Sequence, residues 1–211
     1  SIPGVVARHA GISNSDADFS LFINKEYQIG DEWGKKNVTP DLLAKGSAVF
    51  QRAAKATAHF GAGTAFYLGK FNGRHMMATN NHVMKYRVCE RLSANFGLLG
   101  RRFQCEKEYG SWADIDLALF SIHVPAAEEA VLAGLGGNFA YDAALYPGQE
   151  LLTVGFGVAE NKERFAVANQ DSDCKVFSGR DEFRFMADPD NAGSDKVWSF
   201  ANGCDVSHGD S

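Results

Sequence analysis

Ala78-Thr79-Asn80-Asn81-His82-Val83 sets a histidine just behind a threonine and two amides, at the end of a β-type stretch. Two later segments complete a pattern with it. One is Asp114-Ile115-Asp116-Leu117-Ala118-Leu119, and the other is Gly203-Cys204-Asp205-Val206-Ser207-His208-Gly209-Asp210-Ser211. Together they supply an imidazole, a carboxylate and a hydroxyl, in that chain order. An imidazole can take a proton from a hydroxyl, and a buried carboxylate can orient and support the imidazole. Backbone amides around a glycine can stabilise an oxyanion. A lone histidine is usually structural, and Gly-Asp-Ser alone is a weak pattern. The conjunction carries the signal.

The texture around these segments is that of short strands. Residues 1–38 are polar and irregular with scattered aromatics, and read as an extended arm or a lead-in strand. Thr39-Pro40-Asp41 is a good helix start, with a capping hydroxyl and then proline at the first helical position. A rough apolar stripe extends that helix to about residue 55, weakened by Gly46. From Thr57 onward, β-type runs are split by glycine: residues 64–68, 74–79 and 117–122, then 151–157, 164–168, 174–177, 183–186 and 197–200. Residues 126–135, after Pro125, are a short amphipathic helix candidate. Short strands with frequent turn signals favour barrels or sandwiches.

Gly63-Thr64-Ala65-Phe66 followed by Thr79-Asn80-Asn81-His82-Val83 resembles the pattern of bacterial glutamyl-endopeptidase-like members of the trypsin superfamily. Ala65 stands where those sequences usually have glycine. The order His, Asp, Ser is that of chymotrypsin and differs from subtilisins and α/β-hydrolases. The resemblance implies a chymotrypsin-like, all-β fold of two packed six-stranded antiparallel Greek-key barrels, the second incomplete in this chain. Short helices are expected in the N-terminal region and at the barrel linker. The implied divisions are an arm and helix over 1–55, a first barrel over 56–124, a linker over 125–147 and a partial second barrel over 148–211.

The same resemblance implies a serine endopeptidase with His82 as base, Asp116 as its orienting acid and Ser211 as nucleophile. Asp114 lies one pleat too early for that role. The amides of Gly209 and Ser211 are the implied oxyanion hole, where glycine allows a sharp turn and close approach. Asp205 stands where trypsins bind basic side chains. Relatives carry it without that preference, so substrate-binding and structural readings both stay open. Asp210 aligns with the acid that pairs with a freed amino terminus in activated trypsins, but Ser1-Ile2-Pro3-Gly4 does not match their start. The other histidines, His9, His59, His75, His123 and His208, keep a structural reading.

Composition bounds the partners. The 211 residues are 45% hydrophobic, with 16 phenylalanines, enough to bury a real core. A net charge of −5, mixed in sign, offers no basic face for nucleic acid. No apolar run approaches the roughly 18 residues of a membrane span, and no signal-peptide features open the sequence, so an exported protein would have lost its leader. The expected partner is a protein or peptide substrate, with no cofactor, metal, nucleic acid or membrane.

Cys89, Cys105, Cys174 and Cys204 permit three pairings. Pairing 89 with 105 and 174 with 204 joins points within each half of the fold and is expected, with buried free thiols as the alternative. Disulfides would place the protein outside the reducing cytosol, secreted or periplasmic.

A trypsin-like second barrel needs chain beyond the nucleophile, so the functional polypeptide is expected to extend past Ser211 by roughly 30–60 residues. Three accounts fit: interruption at a chemically modified serine, a cut with a companion fragment continuing after Ser211, or a true truncation. The first two are favoured. Two competing functions are a catalytically inactive homologue used as a binding module and a small-ester hydrolase. The latter needs a Gly-x-Ser-x-Gly elbow, of which only half is present.

Overall fold

The structure, a computed structural model, describes residues 34–137, 145–157, 166–169, 172–177 and 202–205, together with the backbone of strands at 5–7, 27–29, 184–187 and 196–199. Strand β1 (Val5–Ala7) pairs antiparallel with β2 (Tyr27–Ile29). Strand β3 (Lys35–Asn37) follows and leads into two short helices, α1 (Pro40–Lys45) and α2 (Ala48–Ala56).

One helix was expected over 39–55, and the structure breaks it at Gly46. The Phe50 ring fills the space a side chain at residue 46 would need. Each helix has its own start. Thr39 Oγ1 accepts from the Leu42 N–H at 3.2 Å, and Ser47 Oγ from that of Phe50 at 3.1 Å.

Six strands then close a barrel: β4 (Thr57–Phe60), β5 (Gly63–Phe71), β6 (Arg74–Thr79), β7 (Ser93–Phe96), β8 (Arg101–Trp112) and β9 (Leu117–His123). Their antiparallel order is β4-β5-β6-β9-β8-β7, with β7 returning to β4, so no edge is left unpaired. The four-residue helix α3 (Asn81–Met84) leaves the end of β6.

Alternation along the strands fills the interior. Phe60 and Phe120 stack at 4.3 Å, among fully buried Met77 and Phe96 and nearly buried Phe103 and Ile122. Ala58, Ala65, Ala94 and Ala118 make room for those rings. Each large side chain so buried contributes about 1.5–3 kcal/mol relative to exposure.

After β9, Ala126–Leu132 is a 3-10 segment, where the sequence suggested an amphipathic helix over 126–135. Its bonds run three residues back, as from the Glu128 N–H to the Pro125 carbonyl at 2.8 Å. The tighter winding buries Leu132 on the barrel core and brings Glu129 to Lys70, 2.8 Å from Nζ. Beneath that pair, His75 Nδ1 meets the Tyr67 hydroxyl at 2.8 Å, and both rings are buried. Burial, then the Glu129 charge, pushes the Tyr67 hydroxyl above its ordinary range.

In the second half, β10 (Thr153–Gly155) and β11 (Val167–Asn169) pair antiparallel, and β3 joins on the outer side of β11. The N-terminal lead-in strand therefore belongs to this sheet. Strands β12 (Arg184–Ala187) and β13 (Lys196–Ser199) form a separate pair. A second closed barrel is not seen among the described residues. Val38, Phe50, Ala54, Phe156, Ala166 and Ala168 make a second core under this sheet.

Both sequence-local disulfides are formed, Cys89–Cys105 and Cys174–Cys204. Cys89–Cys105 ties the turn before β7 to β8, and the two are 16 residues apart. Replacing both with serine should lower stability by about 3 kcal/mol, from the loop-closure entropy of a loop that short. Urea unfolding monitored by tryptophan fluorescence checks this; a loss under 1 kcal/mol would mean that this link does little to restrict the unfolded chain.

Candidate active site

The site is built where β6 runs into α3 and where the turn after β8 comes back beside it. Thr79, the last residue of β6, is buried and donates its hydroxyl to the Thr64 carbonyl at 2.7 Å. Asn80 then occupies the N-cap position of α3. An asparagine there commonly accepts from the helix's first amides. Here its side chain makes no such bond and turns to Asp116, its Nδ2 donating to both the backbone carbonyl and Oδ2 at 3.1 Å.

Asp116 ends the turn between β8 and β9 in a left-handed conformation, φ +48°. Aspartate tolerates that region better than most residues, at a cost of about 1–3 kcal/mol. The conformation accompanies a carboxylate aimed at α3. Its Oδ2 lies 2.7 Å from His82 Nδ1, and its Oδ1 accepts the His82 backbone N–H at 2.9 Å. One carboxylate thus fixes both the ring and the main chain of His82, and satisfies an amide that a helix start leaves unpaired. Ser111, near the end of β8, donates to Asn81 Oδ1 at 2.6 Å and pins the neighbouring turn of α3.

Half-burial by itself would raise the Asp116 carboxyl. The hydrogen bonds from the His82 ring and backbone, the imidazolium charge and the Asn80 amide outweigh it and hold the group below its ordinary 3.8. The His82 side chain is 37% exposed and that of Asp116 is 20% exposed, so the ring faces solvent while the acid sits behind it. Asp114 is exposed.

Gly209 and Ser211 lie outside the described residues. Asp205 is 1% exposed, and its Oδ2 accepts the backbone N–H of Gly34. That bond ties the segment before Ser211 to the N-terminal lead-in strand. Among the described residues, no group of three or more His, Cys, Asp or Glu side chains could hold a metal ion. Asn80, Ser111 and Thr64 are contributors that the motif reading did not single out, although Asn80 stands within the Thr79–His82 run.

A closed six-stranded antiparallel barrel bearing a histidine–carboxylate pair at one end is consistent with a chymotrypsin-like fold. No protein-family model and no curated protein sequence matches the chain. Solved structures do match. The Rv3671c protease in its inactive form is similar with a TM-score of 0.53 and 18% identity, covering 83% of this chain and 78% of that one. The active form of the same M. tuberculosis protease gives 0.55 and 16%, covering 83% and 70%. At such identities the likeness is one of fold.

Because the Asp116 carboxyl is depressed, its share of stability is fully present above its ordinary value and is lost as pH falls through the depressed one. Acid unfolding of Asp116→Asn should therefore begin from a lower plateau and show a shallower loss below pH 4. Asn80→Ala should raise the carboxyl's midpoint in a carbon-13 NMR titration, and an unmoved midpoint would remove Asn80 from this network.

Proposed function

We propose that the protein is a serine endopeptidase of the trypsin-like class that hydrolyses peptide bonds through an acyl-enzyme. The observation that carries this reading is the His82 Nδ1 contact with Asp116 at 2.7 Å, on a barrel similar to those of proteases. Residues 148–211 belong to a second barrel that carries Ser211. Two disulfides favour a secreted or periplasmic site of action. The Gly63–Phe66 and Thr79–Val83 runs favour the glutamyl-endopeptidase-like branch.

In this mechanism Asp116 keeps the His82 proton on Nδ1, which leaves the Nε2 lone pair for the Ser211 hydroxyl. As Ser211 attacks the carbonyl carbon, His82 takes the proton and the Asp116 carboxylate stabilises the imidazolium formed. The amides of Gly209 and Ser211 bind the oxyanion. His82 then returns the proton to the leaving amine, and a water repeats the sequence on the acyl group. Asn80 acts through Asp116 as a positioning residue, holding the carboxylate against rotation. Asp205, buried on the Gly34 amide, serves this reading as a tie for the Ser211 segment.

A fluorophosphonate probe should label the protein at Ser211, and no labelling would favour the inactive binding module. Ser211→Ala and His82→Ala should each cost on the order of a millionfold in turnover of a casein substrate. Asp116→Asn should cost about ten-thousandfold through the wrong tautomer, while Asp114→Asn should change little. Turnover by His82→Ala within tenfold of the parent would remove His82 from the mechanism.

A further inference from the structure

On the outer face of the barrel, strand register aligns three polar side chains in a row. His59 on β4 pairs with Asn95 on β7, and Asn95 pairs with Arg102 on β8. Their neighbours Ala58, Phe60, Ala94, Phe96 and Phe103 point inward, so the row faces out. Arg91, from the 3-10 turn Cys89–Arg91, closes one end, and Gly61 and Ser93 complete the groove, with a volume of about 290 Å³.

The groove is cationic on an anionic protein. Residues 85–102 carry Lys85, Arg87, Arg91, Arg101 and Arg102 against a single carboxylate, Glu90, whereas the whole chain has a net charge of −5. Arg101 is neutralised by Glu128 at 3.1 Å. Arg91 and Arg102 have no carboxylate within ion-pair reach among the described residues, and the Asn95 amide makes no hydrogen bond there. The frame is pinned: Gln104 donates to the carbonyls of Glu90 and Leu92, and Ser93 donates to Gln104.

Gly61 lies at this end of the barrel with φ +59°, and a side chain there would meet Arg87 Nη1 at 3.4 Å and Val83 Cγ1 at 3.7 Å. Val83 follows His82 on α3, so the groove backs onto the helix of the candidate site. His59 meets Phe156 of the second half edge-on at 5.7 Å.

We propose that this groove, lined by Arg91, Arg102 and Asn95, is a binding site for a carboxylate-rich peptide segment, apart from the candidate active site. A planar guanidinium grips a carboxylate through two parallel hydrogen bonds, and two of them with an amide between suit acidic side chains on one extended strand. The volume takes one or two such side chains and is small for a larger organic ligand. The rest of the surface repels anions on average, so attraction is concentrated here. Nothing in this proposal depends on the peptidase reading.

Fluorescence anisotropy of a labelled hexaglutamate peptide with the intact chain, in 50 mM salt, tests it. Arg91→Gln/Arg102→Gln should weaken binding at least tenfold. Arg74→Gln/Lys107→Gln removes the same charge at side chains over Tyr109 on another part of the barrel, and should stay within twofold. Circular dichroism melts confirm that both variants are folded. Equal losses in the two variants would mean diffuse charge attraction, and no binding by the parent would mean no site; either overturns the proposal. Displacement of the peptide by an equal concentration of inorganic phosphate would make this a free-anion site, and would overturn it as well.

Discussion

The Asp116 carboxylate is the point on which the first half of this molecule turns. It accepts from the His82 ring, from the His82 main chain and from Asn80, three donors brought in by one short stretch of chain from 80 to 82. A charged group can sit half-buried only when its lone pairs are so occupied. Barrel closure makes this geometry affordable, because β6 and β9 are hydrogen-bonded neighbours and deliver α3 and the Asp116 turn to the same end. The left-handed residue at 116 is tolerated because the surrounding bonds over-determine it.

Thr64 extends that constraint outward. Its carbonyl receives the Thr79 hydroxyl, and its own hydroxyl accepts the Phe156 N–H at 2.9 Å, with all of these groups buried. The strand end that presents His82 is thereby keyed to the second half of the chain through one side chain. A valine at that position would match the shape, yet strand the Phe156 amide without its acceptor.

Much of this was legible because strand signals and motif signals coincide. β6 was read from its sequence at its observed limits, Arg74–Thr79. The runs at 64–68 and 117–122 fall within β5 and β9. β8 was missed, although Phe103 and Cys105 alternate inward, because arginine, glutamate and lysine crowd its outward face and mask the period of two. β4 was hidden behind α2, where an alanine-rich helix passes into a strand with no turn residue between. The break at Gly46 depends on where the Phe50 ring lands, a tertiary fact that local pattern does not carry. In the site, the motif pointed to His82 and Asp116 as partners. It was silent on Asn80, because an asparagine before a short helix reads as an ordinary cap until its amide is seen turned the other way.

The lead-in strand has a consequence for the order of events on the ribosome. The chain is made from its amino end, and the barrel from Thr57 to His123 holds all of its own pairing partners. It can close while later residues are still being added. β3 cannot. Its partner β11 is far downstream, and the Gly34 amide waits for Asp205, 171 residues away. β3, made before the barrel, is thus fastened after it, and until then its polar backbone is open to water, proteases and chaperones alike.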